Sequence, residues 1–203
     1  MSTNRREGNN RRQELIDATL NCIENEGLQG TTVRKVADYA GVTNGLIRFY
    51  FSGKDELMRA AYAALLDQIY SHARIAVDDD TVKPQVRLRN FISATLSYPI
   101  VAPRTVLLWA NFLPVTYIDT EMSIIRNEAY VETTNILEPL IRDSFLDNGI
   151  ALDDKKVKNY AIQVNAIIDG LWIEGSLAGN KFQRNELVNL GIEATAAILS
   201  LKI

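Results

Sequence analysis

Residues 31–57 read TTVRKVADYAGVTNGLIRFYFSGKDEL, and this stretch decides the fold of the chain. Thr32 is predicted to cap a short helix, because its hydroxyl can accept a hydrogen bond from a backbone N–H one turn later. Gly41 can adopt the left-handed conformation that ends such a helix. Thr43 then caps a second short helix. Two short helices joined by a tight, glycine-containing turn form a helix-turn-helix motif.

The second helix of the motif is predicted to turn Ile47 inward, under the first helix. Its outward face then presents Asn44, Gly45 and Arg48, with Phe49 as a further candidate. Helix-turn-helix proteins place the N-terminal residues of this helix against base edges in the major groove. The motif is therefore predicted to bind DNA. Two short helices of an ordinary all-α domain are the alternative, and apolar spacing alone does not exclude it.

Lys54 opens the following helix, where the positive end of the helix dipole disfavours a cation. A DNA phosphate in front of the helix would compensate for this. The capping threonines and Tyr50 are predicted to hold phosphates as well, which sets the register on DNA without reading sequence. The predicted DNA-binding residues are Thr32, Thr43, Asn44, Gly45, Arg48, Tyr50 and Lys54.

The composition is that of a folded protein, with 203 residues of which 47% are hydrophobic. No apolar run approaches the roughly 20 residues that span a bilayer, and no apolar segment of a secretory signal follows the N-terminal arginines. The single cysteine excludes an intrachain disulfide and suits a reducing compartment. A net charge of −3 does not exclude DNA binding, because only the surface that contacts DNA needs to be basic. We expect a cytoplasmic protein without membrane contact.

Helical periodicity and the positions of proline and glycine predict an all-α chain of about nine helices. Pro84 and Pro103 suit the first turns of helices. Pro114 is expected to end the helix that Pro103 opens, because proline removes a helical hydrogen bond. The predicted helices cover residues 10–26, 33–39, 44–50, 54–77, 84–98, 103–113, 118–146, 154–178 and 184–201.

A resemblance to the TetR family of bacterial one-component repressors is carried by GVTNGLIRFYFSGKDEL, together with the preceding TTVRKVADYA and the helix that contains LIDATL and IENEG. The family has Gly-Val-Ser at the turn, a glycine in the second helix, then Tyr-Phe and a Lys-Glu-Glu-Leu helix start. Arg48 and Phe49 depart from the family, where an aromatic residue and a histidine are common. The matching positions are Gly41, Val42, Thr43, Gly45, Tyr50, Phe51, Lys54, Glu56 and Leu57.

The resemblance implies a sequence-specific, ligand-responsive transcriptional regulator, usually a repressor. It implies a homodimer that binds a palindromic operator in double-stranded DNA and is released by a small-molecule effector. A helix-turn-helix domain is expected over residues 1–55. A long fourth helix would join it to a helical effector-binding and dimerisation domain over residues 56–203.

A second resemblance, carried by IIDGLWIEGSLAG at residues 167–179, is to the BetI-type branch, whose best-known members repress choline-to-betaine genes. Quaternary ammonium ligands such as choline bind aromatic faces, often beside a carboxylate. An aromatic residue at helical spacing more often belongs to the core, so that alternative stays open. The predicted effector site consists of Trp109, Phe112, Tyr130 and Trp172 with Asp169 or Glu174.

An apolar seam on the last two helices is the candidate dimer interface, because its members recur at alternating four- and three-residue spacing. Glycine in a helix interior lowers stability by about 1 kcal/mol relative to alanine, and close packing between helices at these glycines would offset that loss. The alternative is that this seam packs within one chain. The seam consists of Val157, Ala161, Val164, Ile168, Leu171 and Gly175, with Leu187, Gly191, Ala194 and Ile198.

An all-α enzyme and a helical protein-binding adaptor without DNA binding are the rival functions. His72 is the only histidine, and a zinc site would need further histidines or cysteines. The sequence has no glycine-rich phosphate loop. We therefore expect no catalytic residue, metal or cofactor. An adaptor would give no reason for Lys54 at a helix start or for the outward Asn44 and Arg48.

Overall fold

The computed structural model describes residues 2–179, 181–183 and 185–203, with side chains from Gly8 onward. These residues form α-helices and connecting turns, which confirms the all-α prediction. The predicted start of the last helix at residue 184 lies outside the described residues. The helices are α1 (Ser2–Gly30), α2 (Val33–Ala40), α3 (Asn44–Tyr50), α4 (Lys54–Ala76), α5 (Pro84–Thr95), α6 (Pro103–Ile118), α7 (Thr120–Leu146), α8 (Asp154–Leu177) and α9 (Glu186–Leu199).

Pro114 does not end α6, and the prediction on this point is wrong. The helix continues to Ile118 with the proline inside it. Pro114 and Ala110 are both exposed, so water can satisfy the Ala110 carbonyl that loses its helical partner. Thr116 Oγ1 donates a hydrogen bond to the Leu113 carbonyl at 2.7 Å in the same turn. The helix can therefore continue past the proline without leaving a buried carbonyl unsatisfied.

The chain divides into two compact units. One consists of the chain up to Leu66 together with Leu107–Arg126, and the other of Asp67–Val106 together with Asn127–Ile203. The boundaries between the units fall inside helices, so α4, α6 and α7 contribute to both. This division describes packing. The functional division into residues 1–55 and 56–203 stays a prediction.

In the first unit, α1 packs against α2, and α2 against α3. Val36 on α2 and Ile47 on α3 are buried, as is Ala37, whose small side chain permits close packing. Further along the unit, the buried ring of Tyr62 on α4 stacks on Phe112 of α6 at a centroid distance of 4.8 Å. The inner side of α3 is thus held by the core, which leaves its other side outward.

In the second unit, α8 packs against α9, and α5 contacts both. A Cβ added at Gly175 would lie 2.2 Å from Leu187 Cδ1, and one added at Gly191 would lie 2.5 Å from Leu96 Cδ1. Both distances are shorter than real Cβ contacts. These two glycines therefore permit close packing inside a single chain.

Candidate DNA-binding surface

Caps at both ends define α2. Thr32 has extended backbone, and its Oγ1 accepts a hydrogen bond from Lys35 N at 3.2 Å. Gly41 has φ 65° and donates its backbone N–H to the Asp38 carbonyl at 3.2 Å. Because a side chain is strained at such a φ, glycine at this position lets the chain turn from α2 into α3.

Thr43 caps α3 in the same way, with its Oγ1 accepting from Leu46 N at 3.4 Å. Ile47 is only 1% exposed and anchors the inner side of the helix. The predicted base-reading positions thus share one outward face. This exposed face of α3 consists of Asn44, Gly45, Arg48 and Phe49.

The residues predicted to hold phosphates lie at the ends of helices: Thr32 caps α2, Thr43 caps α3, Tyr50 ends α3 and Lys54 begins α4. Thr32 and Thr43 are exposed, and each uses its hydroxyl oxygen as a cap, which leaves the hydroxyl hydrogen to donate outward. Tyr50 is half-buried, and its ring meets Phe49 edge-on at a centroid distance of 5.1 Å. Thr32 and Thr43 can therefore each cap a helix with the hydroxyl oxygen and still donate the hydroxyl hydrogen to a phosphate.

Gly45 has no reason within the chain to lack a side chain. A Cβ there would meet only Thr43 Oγ1, at 3.7 Å, which is an ordinary contact. Glycine in a helix costs about 1 kcal/mol relative to alanine. The bare backbone is the arrangement expected where a groove surface approaches α3 closely.

Lys54 begins α4 and is exposed. In the preceding turn, Glu56 Oε2 accepts from Ser52 N at 2.7 Å, and this hydrogen bond lowers the pKa of Glu56. Within the described part of the chain, no ion pair joins Lys54 to a carboxylate, whereas Lys35 on α2 pairs with Glu26. A cation at a helix N-terminus is disfavoured, so an external phosphate would complete this arrangement.

Lys54→Ala is expected to weaken binding to all duplex DNA by a similar factor. It should reduce the slope of log affinity against log salt by about 0.9 for each phosphate that the protein no longer neutralises. Lys35→Ala is the matched control, because its charge is already paired with Glu26. Fluorescence anisotropy over a salt series measures both. A slope for Lys54→Ala equal to that of the unaltered protein would show that this lysine does not bind phosphate.

A polar cluster in the first unit joins α4 to the end of α6. Arg59 Nη2 lies 3.0 Å from Asp119 Oδ2. Asp119 Oδ1 accepts from Met122 N at 3.0 Å, and this backbone hydrogen bond, followed by Arg59, lowers the pKa of Asp119. Leu28 N also donates to Asn111 Oδ1 on α6, at 3.2 Å. The end of α1 is thereby linked to α6, and α4 to the residue that follows α6, by one polar contact each.

The residues predicted for the effector site are distributed over both units. Phe112 is buried against Tyr62, and Trp172 is buried with its Nε1 donating to the Ile100 carbonyl at 2.8 Å. Both therefore contribute to packing, as the core alternative expects. The assignment of the five residues to an effector site stays a prediction. Trp109 and Phe112 lie in the first unit, and Tyr130, Asp169 and Trp172 in the second.

The seam predicted as the dimer interface forms the inner side of α8 and α9. Its members are largely covered by the chain's own core, in which α5 contacts both helices. This burial is what the alternative of packing within one chain expects, and the assignment of the seam to a dimer interface stays a prediction. Val157, Ala161, Val164, Ile168, Leu187 and Gly191 are buried, and Leu171, Gly175, Ala194 and Ile198 are half-buried.

A second apolar face, which sequence reasoning missed, lies on the outer side of the same two helices. Leu177 is 69% exposed there, and a Cβ added at Gly170 would meet nothing within 4 Å. Its helical spacing was visible in the sequence, but spacing does not tell which of two apolar faces is covered. This outer stripe consists of Ile162, Ala166, Gly170, Ile173 and Leu177 on α8, with Leu190 and Ala197 on α9.

Sequence reasoning also missed a cation–aromatic contact beside α3. The Arg12 guanidinium lies over the Phe51 ring, 4.9 Å from its centroid, and Phe51 is 1% exposed. The contact joins α1 to the turn between α3 and α4. No local pattern in the sequence indicates it, since 39 positions separate the two residues.

Two short capped helices joined by a glycine-containing turn have the geometry of a helix-turn-helix motif, which in DNA-binding regulators places its second helix in the major groove. The chain belongs to the TetR family of bacterial regulatory proteins, with a C-terminal part of the BetI type. The profile described as "Bacterial regulatory proteins, tetR family" matches residues 15–61. The profile described as "BetI-type transcriptional repressor, C-terminal" matches residues 84–200.

Known proteins agree with this assignment. The transcriptional regulator BetI of Burkholderia lata is 31% identical over 183 residues, which are 89% of each chain. A transcriptional regulator from Pseudomonas aeruginosa PAO1 has a TM-score of 0.86 at 28% identity, over 95% of this chain and 92% of that one. A regulator from Saccharomonospora viridis, solved in complex with choline, has the same fold, with a TM-score of 0.73 at 17% identity over 90% and 93% of the chains.

The protein is therefore a ligand-responsive, DNA-binding transcriptional regulator, as the resemblance implied. Its relatives are regulators and not enzymes. The described helices include none with the length and apolarity needed to cross a membrane. Among the described side chains, no three of His, Cys, Asp or Glu lie together as a metal ion would need.

Proposed function

We propose that the protein is a cytoplasmic repressor that binds a palindromic operator as a homodimer and is released by a quaternary ammonium effector such as choline. The observation that carries the DNA-binding part is the outward face of α3. It combines exposed Asn44 and Arg48 with Gly45, whose missing side chain has no internal explanation. Lys54 at the start of α4 adds a charge for phosphate.

The outer stripe supports the homodimer. Two-fold symmetry is required to reach both halves of a palindrome, and the partner surface of such a dimer is the same patch on both chains. An apolar helix face left exposed by its own chain is a common form of that patch. At its centre, Gly170 would let the backbones of two helices approach closely.

The BetI-type match over residues 84–200 supports an ammonium effector. The regulator from Saccharomonospora viridis was solved with choline, and aromatic faces hold such cations. In the first unit, the Tyr62 hydroxyl is buried beside Phe112 and has no hydrogen-bond partner among the described residues. An unsatisfied buried hydroxyl calls for an explanation, and a bound ligand would provide one.

Release would follow from a shift between two states. In one state the two α3 helices of the dimer fit the operator, and in the other they are displaced. An effector that prefers the displaced state weakens DNA binding by up to the ratio of its affinities for the two states. The Arg59–Asp119 ion pair and the Leu28–Asn111 hydrogen bond link α6 to the DNA-binding region, so they are the contacts through which movement of α6 would reach it.

The test combines operator binding with release. An operator is selected from random duplex DNA with the full-length protein, and its affinity is measured with increasing choline, betaine aldehyde or glycine betaine. We expect one of these compounds to bind in calorimetry and to weaken operator binding. In Asp119→Asn, calorimetric binding should persist while release is reduced. If none of the three compounds gives a heat of binding in calorimetry, the proposed ammonium effector is wrong.

A further inference from the structure

Phe49 is the one apolar side chain on the outward face of α3. It is 79% exposed, so it contributes little to the stability of the chain's own core. Its ring meets the ring of the half-buried Tyr50 edge-on, at a centroid distance of 5.1 Å. A large apolar group that is held outward on a DNA-reading helix points to a role in contact with DNA.

The glycine one turn earlier favours such a contact. Side chains of a helix lean toward its N-terminus, so residue 49 covers the surface over residue 45. Gly45 presents only backbone there, so no side chain at position 45 covers the Phe49 ring, which is 79% exposed. Asn44 and Arg48 flank this position on the same exposed face.

The chemistry of the major groove identifies what a phenyl ring would read. Arginine pairs with guanine and asparagine with adenine through hydrogen bonds, whereas a phenyl ring neither donates nor accepts. The 5-methyl group of thymine is the apolar group that base edges offer in this groove. We propose that Phe49 contacts a thymine methyl group and makes the protein prefer thymine at one position of each operator half-site. This inference rests on the proposed seating of α3 in the major groove.

Deoxyuridine tests the proposal, because it differs from thymidine only by the missing methyl group. Each thymine of the selected operator is replaced in turn, in both half-sites, and affinity is measured for the unaltered protein and for Phe49→Ala. One replacement should weaken the unaltered protein by about fourfold per half-site, the effect of losing one buried methyl group. The same replacement should leave the affinity of Phe49→Ala unchanged.

Tyr117→Ala is the matched control, because Tyr117 is an aromatic residue that is 93% exposed and lies on α6. It should respond to deoxyuridine like the unaltered protein. Thermal unfolding should be the same for all three proteins, since neither ring is buried. A uracil scan that is identical for Phe49→Ala and the unaltered protein overturns the inference while operator binding stands. Failure to select any operator would instead overturn the DNA-binding proposal and this inference with it.

Discussion

Ala166→Arg is expected to convert the protein into a folded monomer that no longer holds its operator tightly. Ala166 is exposed on the outer stripe, one turn before Gly170, so the arginine has room in a single chain. In a dimer built on the outer stripe, the new charge would be buried at an apolar interface without a partner charge, which is strongly unfavourable. Since two linked half-sites bind about 10²–10⁴-fold more tightly than one, operator affinity should fall by a factor of that order.

Ala151→Arg is the matched control, because it makes the same change at an exposed position outside the outer stripe. Light scattering should give the chain mass of 22.7 kDa for Ala166→Arg and twice that mass for the control. Circular dichroism should show equal helix content in both. Should Ala166→Arg remain a dimer at micromolar concentration, the interface must lie elsewhere than on the outer stripe.

Gly191→Val should lower the free energy of unfolding by about 1–3 kcal/mol, the usual cost of adding atoms to a packed core. A Cβ at this position would lie 2.5 Å from Leu96 Cδ1 and 2.9 Å from Ile92 Cγ2. Both neighbours are themselves buried, so neither can move aside into solvent. The added side chain therefore forces α9 away from the end of α5.

Asn189→Val provides the comparison, because it places valine at an exposed position of the same helix. Urea unfolding of the two variants separates the helix propensity of valine, common to both, from the crowding at Gly191. Equal stability would mean that the close approach of α9 to α5 is not needed. Because Gly191 lies on the side of α9 that packs within the chain, the loss of stability in Gly191→Val should not depend on changes at the outer stripe.

The helix-turn-helix motif was predictable because its determinants are local. Thr32 and Thr43 cap helices through hydrogen bonds that span three residues, and Gly41 turns the chain through its own φ. Such interactions need no distant partner, so sequence order is enough to place them. Pro114 is the counterexample, because the helix continues past it where the freed Ala110 carbonyl is on an exposed residue, and exposure depends on tertiary packing.

Distant packing decided the rest. α8 carries apolar residues at helical spacing on two sides. Only tertiary packing, in which α8 contacts α9 and α5, determines that the side of Val164 is covered while that of Ala166 is exposed. Two glycines in similar helices also differ in their tertiary contacts. A Cβ added at Gly191 would collide with neighbouring side chains, whereas one added at Gly170, on the outer stripe, would meet nothing within 4 Å. The order of residues 31–57 by itself determined that this protein carries a DNA-reading motif. The faces left free for a partner chain were decided by tertiary structure, because burial depends on neighbours that are remote in sequence.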